Sequence, residues 1–312
     1  MKKVLLVTSV VFVLLTVFSC TQISDLLSPN PKVSVVITSG SEGSGDVVKP
    51  QEYSGNNLLG LPQVVEAPWV KEIQRLVVKV SKFSYKYSTG PGKSKWATPT
   101  SVDQVVDLVT LDSTEVGWLT FDAPKGAVIL AIGFEITQAT VTINNTEYPA
   151  MLPNPAGTKI VLKNLNWSIS EDGQIALSID WTRSIIEILP SEYMLVPRIA
   201  YRWRGTLKDL WAIEGTVKVN GAAPTEPLLI GLFNGTDTTA TPVVLKMIPV
   251  ARKGEFYLGK HKPGTYTVVL WDSLSFTYEG TSITLTAHKA IDETFEHGKT
   301  NATTKLELSY TK

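Results

Sequence analysis

From residue 32 onward the chain is a succession of short β-branched or alternating runs, each closed by turn-forming residues. None of them carries the 3.6-residue period of a long amphipathic helix. This punctuation constrains the fold more than any other feature. The first runs are KVSVVIT (32–38), QRLVVKVSKFSYKY (74–87) and VVDLVTL (105–111), followed by AVILAIGFEI (127–136) and ATVTI (139–143). KIVL, NWSI and QIALSIDW follow, and YMLVPRIAYRW (193–203) closes the region, with Pro197 demoting its centre to an edge or a bulge. Asn144-Asn145 and Glu171-Asp172-Gly173 read as tight turns, and Ser184 to Leu189 as one short turn. A second series begins near Trp211 and includes IEGTVKV (213–219), LLIGLF (228–233) and TYTVVLW (265–271), with turns at Asn220-Gly221 and Asn234-Gly235. The expected fold class is all-β: two antiparallel β-sandwich domains in tandem, 32–205 and 211–312. Between the first two runs, residues 39–68 are rich in Gly, Ser, Asn and Pro and are expected as a long exposed loop.

Composition sets outer limits. Hydrophobic residues make up 43% of the 312, enough for packed cores. Lys+Arg and Asp+Glu are both 29, so the formal net charge is zero, and nothing favours nucleic acid as a partner.

The N-terminus has its own logic. Lys2 and Lys3 precede an uncharged apolar stretch from Val4 to Phe18, the layout of a signal peptide. About 15 apolar residues fall short of the ~20 that a membrane-spanning helix needs. The stretch ends Val17-Phe18-Ser19-Cys20 and resembles a bacterial lipobox: a branched apolar residue at −3, a small residue at −1, then cysteine. Residues 1–19 are thus expected as a lipoprotein signal peptide cut between Ser19 and Cys20. The resemblance implies a diacylglyceryl group on the Cys20 thiol, which would attach the chain to a membrane. Cys20 is the only cysteine, so no internal disulfide is expected. Residues 20–31 are the lipidated cysteine and its tether, whose eleven residues after Cys20 reach roughly 18 Å if flexible. Thr21 rather than aspartate follows Cys20, so in a host with two membranes the expectation is the outer membrane or cell surface.

Two further resemblances cover the rest. Ile213-Glu214-Gly215-Thr216-Val217, Gly254-Glu255-Phe256 and Pro263-Gly264-Thr265-Tyr266-Thr267-Val268 resemble the G-x-V opening, G-x-F strand and P-G-x-Y-x-V hairpin of carboxypeptidase regulatory-like, transthyretin-like domains. This implies a sandwich with Phe256 and Tyr266 in its core, and a fold class shared with starch-binding-like modules. Val106 to Leu111, Ile132 to Ile143, Leu177 to Trp181 and Tyr193 to Ile199 resemble an uncharacterised family of lipoprotein β-domains.

A search for chemistry finds little. His261, His288 and His297 show no zinc-binding spacing and are expected to face solvent; no metal and no cofactor are expected. No G-x-S-x-G occurs, and Gly298-Lys299-Thr300 lacks the first glycine of a phosphate loop. Asp103, Asp107, Asp112 and Asp122 cluster in sequence and are read as solvated surface carboxylates. The eight tryptophans are of more interest, because exposed aromatic faces hold pyranose rings, although tryptophan also packs cores well. Trp167, Trp181 and Trp203 sit on strands; Trp69, Trp96 and Trp118 lie nearer loops and are the candidate ligand-binding residues. The functional expectation is a non-enzymatic envelope lipoprotein that binds or scaffolds, with carbohydrate as a ligand. The alternative is a structural or adhesive protein meeting another envelope protein; a hydrolase ranks below both.

Overall fold

The computed structural model describes residues 30–42, 44–45, 51–52, 73–112, 114–206, 209–279, 282–300 and 302–312. Ser19, Cys20, most of the tether and Trp69 lie outside them. The first sequence unit supplies β1 (Lys32–Ser39), β2 (Ser41–Glu42), β3 (Ser44–Gly45), β4 (Gln51–Glu52), β5 (Ile73–Ser88), β6 (Ser94–Ala97), β7 (Gln104–Asp107) and β8 (Val116–Asp122). It continues with β9 (Val128–Ile143), β10 (Thr146–Met151), β11 (Thr158–Ser168), β12 (Gly173–Ile179), the single helical turn α1 (Trp181–Ser184), β13 (Ile185–Leu189), β14 (Glu192–Leu195) and β15 (Ile199–Thr206). The second supplies β16 (Trp211–Val219), β17 (Leu228–Asn234), β18 (Val244–Ile248), β19 (Glu255–His261), β20 (Gly264–Glu279), β21 (Ser282–His297) and β22 (Thr304–Tyr310).

The fold is all-β, in four sheets. An eight-stranded sheet runs β13-β14-β10-β9-β5-β6, with β11 also on β9 and β7 also on β5; a five-stranded sheet runs β3-β15-β12-β1-β8. A six-stranded sheet runs β2-β18-β17-β20-β21-β4, and a three-stranded one β19-β16-β22. Antiparallel pairs dominate, but β1 with β12, β10 with β14, β16 with β22 and β21 with β4 run parallel, so the sheets are mixed.

Burial divides the sheets into outer and inner. In the eight-stranded sheet β5 alternates, with Leu76, Val78, Phe83, Tyr85 and Tyr87 buried and the residues between them more open. In the five-stranded sheet all seven residues of β12 are buried, and in the six-stranded sheet Leu228 to Phe233 are all buried. An apolar strand buried on both faces loses the two-residue alternation. Leu228, Ile230 and Leu232 pack with Ile213, Phe256 and Leu308 of the three-stranded sheet. Leu229, Phe233, Met247 and Trp271 join the core that fills the first unit. The two sequence units therefore share apolar packing.

The crossing between them starts where the sequence suggested an exposed loop. Ser39 is buried at the end of β1, and Ser41–Glu42 pairs with β18 of the second unit. Gly40 takes φ +80°, and a Cβ there would strike the Leu245 carbonyl, so only glycine fits this crossing.

Three local expectations change. The run 105–111 is strand only to Asp107, whose Oδ1 accepts from the backbone N–H of Val109 and whose carbonyl accepts from Thr110 Oγ1; this turn ends the strand. Ile185–Leu189 is strand rather than turn. Pro197 falls between β14 and β15, where the chain leaves one sheet for another. The turns at Asn144-Asn145 and Asn220-Gly221 have positive φ at both central positions, as tight hairpins require.

Candidate functional site

The outer face of the eight-stranded sheet carries the most exposed tryptophan described. Trp96 on β6 is 48% exposed. Its register partner on β5 is Lys86, which pairs with Ala131 on β9, which pairs with Lys163 on β11. Directly opposed residues share a face, so one row across four strands presents an aromatic ring, a cation, a small residue and a second cation. The flanking positions Tyr85, Tyr87 and Ile132 point the other way, into the core. Trp96 leans towards Gly133 in the next outward row, where a Cβ would lie 3.8 Å from Trp96 Cζ3 and 3.0 Å from Ser84 Oγ. Small residues at 131 and 133 leave the face flat beside the indole.

Farther along β9 lies a notch. β11 pairs with Val128 to Ile136, and β10 with Thr140 to Ile143 on the same edge. The gap is an open cleft of about 520 Å³ lined by Thr137, Gln138, Pro149, Met151, Leu152 and Pro155 among others. Beyond β10 and β14, β13 is an edge strand among the described residues and leaves Ile188 and Leu189 exposed.

The other tryptophans have structural places. Trp118 is 8% exposed, which overturns its reading as an exposed ligand candidate. It stands edge-on to Phe83 and Phe134, and its Nε1 donates to the Val102 carbonyl at 2.9 Å, so both its apolar body and its one polar atom are satisfied inside. Trp181 and Trp271 are fully buried. Trp167 and Trp203 are half-buried and stacked at 6.2 Å, at the rim of the first core.

Where the two units meet, the charges are buried and paired. Arg204 on β15 donates through Nε and Nη2 to both carboxylate oxygens of Glu42, at 2.7 and 2.8 Å, and through Nη1 to Glu115 and Gln174 at 2.6 Å each. Burial alone would raise the Glu42 pKa, but the Arg204 guanidinium overrides it and holds the carboxyl at about 2. Beside this pair, His261 accepts at Nδ1 from Arg202 Nη1 at 2.9 Å and donates from Nε2 to the Leu258 carbonyl at 2.7 Å. Burial, reinforced by Arg202, pushes the imidazole down to about 3, which keeps it neutral. Lys246 donates to Thr38 Oγ1 at 2.8 Å and to the Leu111 carbonyl at 3.2 Å. Burial pushes its amine below the usual lysine range.

Asp112 belongs to the same seam. It accepts from Ser39 Oγ and, at 2.9 Å, from Trp181 Nε1, and burial raises its pKa. It is therefore no solvated surface carboxylate. Nor do two of the histidines face solvent: His261 is fully buried, and His297 is 1% exposed with Thr304 Oγ1 at 2.7 Å. The seam could not be read from the sequence because Arg202 lies 59 residues from His261, Trp181 69 from Asp112, Arg204 162 from Glu42 and Thr38 208 from Lys246.

His288 is half-exposed and bonded through Nδ1 to Asp272 Oδ1 at 2.8 Å; the buried Asp272 carboxylate also accepts from Tyr310 Oη at 3.1 Å. A carboxylate-oriented imidazole is one half of a general base. Among the described residues Asp272 is its one hydrogen-bond partner, so the nucleophile that would complete a dyad does not touch it. Among the described residues no group of three His, Cys, Asp or Glu could hold a metal, and no helix is long and apolar enough to cross a membrane.

No family model matches the chain, and no curated protein does. Solved structures bear only a weak likeness, two of them as follows. The major pilin subunit BcpA of Bacillus cereus is 12% identical over 78% of this chain and 61% of its own, with a TM-score of 0.22. A leucine-rich repeat protein from Bacteroides thetaiotaomicron is 8% identical over 91% of this chain and 27% of its own, with a TM-score of 0.17. The chain thus spans less than two thirds of either, and at these TM-scores neither likeness bears on fold or function.

Proposed function

We propose that this chain is a lipid-anchored protein of the bacterial envelope whose work is binding rather than catalysis, and that it holds carbohydrate on the outer face of its eight-stranded sheet. The observation that carries the reading is Trp96, 48% exposed on a flat floor of Ala131 and Gly133. An indole left in water forfeits a burial worth roughly 2–3 kcal/mol, which the C–H face of a pyranose would recover. The anchor rests on the lipobox-like Val17-Phe18-Ser19-Cys20 and the short tether behind it. A lipid chain contributes about 0.8 kcal/mol per buried methylene, and stable anchoring takes more than one chain.

Affinity electrophoresis of the full chain in detergent, through gels carrying a panel of polysaccharides, tests the binding. Retention on at least one polymer, lost in Trp96→Ala, is the expected result; free migration through every gel overturns the reading. Mass spectrometry of the N-terminal peptide from the native host tests the anchor, and an unmodified Cys20 ends that part of the proposal.

A second reading has its own observation. Ile188 and Leu189 are 41% and 58% exposed on β13, which among the described residues is an unpaired edge of the same sheet. An apolar edge strand invites pairing with another protein, and crosslinking in cells would reveal a reproducible partner or none.

A further inference from the structure

The charge around Trp96 goes further than carbohydrate in general. The chain as a whole is neutral, yet this face is not. Of its outward carboxylates, Glu135 is held by Lys82 Nζ at 2.8 Å, Asp103 by Lys79 Nζ at 2.7 Å and Asp107 by Arg75 Nε at 3.1 Å, while Glu147 stands apart at the β9–β10 end of the sheet, opposite Thr142. Lys159 stands opposite Glu135 on β11, but that carboxylate holds Lys82. Lys86 and Lys163 flank Ala131 from either side and form no ion pair among the described residues. Two strand spacings put their backbones about 10 Å apart, close enough for both ammonium groups to act on one anion lying over Ala131. The fold needs neither charge: both side chains leave the sheet on its solvent side, and Ala131 fills the floor between them.

We infer that the Trp96 face takes an acidic polysaccharide, one that bears carboxylate or sulfate groups, with a sugar ring on the indole and an anionic substituent between Lys86 and Lys163. This rests on the carbohydrate reading above and narrows its ligand class. Trp96 and Lys163 are three strand spacings apart, about 14 Å, so the row spans a short stretch of an extended chain rather than one sugar. The indole separates this ligand from an anionic bilayer, which would engage the lysines alone; single-stranded nucleic acid could stack a base on Trp96, so the test sets DNA against the acidic polysaccharides directly. Because Lys163 is exposed and Lys86 only half-buried, the electrostatic part must weaken with salt.

The test compares the full chain in detergent with Trp96→Ala and the double variant Lys86→Glu/Lys163→Glu, each checked for fold by circular dichroism. Gels carry neutral dextran, dextran sulfate, polygalacturonate or single-stranded DNA. The wild type should bind one of the acidic polysaccharides about tenfold more tightly than dextran at low salt, and the lysine variant should abolish that difference. Trp96→Ala should weaken both acidic and neutral binding. If dextran is held as tightly as the acidic polymers and the lysine variant changes nothing, the inference fails while the carbohydrate reading stands. If no polysaccharide is held, both fail. Retention of DNA as strong as that of the acidic polysaccharides, whether or not Trp96→Ala weakens it, also overturns the inference. Preference for the sulfate over the carboxylate polymer, or the reverse, identifies the substituent.

Discussion

Charge is concentrated in two regions of this molecule, and they use it oppositely. In the seam between the two sequence units, Arg204, Glu42, His261 and Lys246 are each at most 2% exposed, and each polar head is met by a partner from a distant part of the chain. On the outer face, Lys163 is exposed and Lys86 half-buried, and among the described residues neither forms an ion pair. A buried charge must be paired or the fold loses several kcal/mol, whereas an exposed one costs almost nothing to leave alone. The seam therefore spends its charges on holding two sheets in one register. The face keeps its charges available. The same residue types read as architecture in one place and as recognition in the other.

The sharpest way to break this contrast is to remove one partner from the seam. Arg204→Met leaves the buried Glu42 carboxylate without its two hydrogen bonds and with only Arg202 Nη1 nearby at 3.7 Å, and strips Gln174 and Glu115 of the same donor. The expected loss is about 3–5 kcal/mol in urea unfolding, typical of an uncompensated buried charge. Adding Glu42→Gln to that variant should restore part of the loss, because the uncompensated charge goes with it. A double variant no better than the single one would mean that the seam acts by packing and not by pairing.

Acid should attack the seam next. The His261 pKa lies at about 3 when folded, below its ordinary value near 6.5. The unfolded chain therefore binds this proton first, and stability present above pH 6.5 is lost as pH falls through that window towards 3. At pH 4.5 the loss from this one group is roughly 2–3 kcal/mol. The Glu42 contribution goes later, between its ordinary range near 4.5 and about 2. His261→Gln should flatten the stability profile between pH 6.5 and 4.5; an unchanged slope would exclude His261 as its source.

Much of the architecture was legible because its signals are local. Asn220-Gly221 and Asn144-Asn145 announce their hairpins through residues that tolerate positive φ. The alternation in 74–87 gives β5 its inner face. Even the double burial of β17 is written in the unbroken run LLIGLF, although a run of that kind says only that both faces are covered and not by what. The seam was not legible for the same reason inverted. Nothing near Asp112 in sequence hints that Ser39 and Trp181 will close over it, and nothing near Glu42, set among glycines and serines, hints at Arg204. Of the candidate site, Trp96 stood out by its loop-side position, while its companions Lys86 and Lys163 appear only once the strand register is known.

The smallest expected effect is on the outer face, and its smallness is the point. Trp96→Ala removes an aromatic ring that is 48% exposed, so stability should move by about 1 kcal/mol. Trp118→Ala, by contrast, empties a site packed between Phe83 and Phe134 and strands the Val102 carbonyl, a loss of about 3–5 kcal/mol. Two tryptophans read alike in the sequence would then differ about three- to fivefold in what they do for the fold. If Trp96→Ala instead destabilised the chain as Trp118→Ala does, the indole would be part of the core's rim, and the outer face would lose its claim to be a surface kept for a ligand.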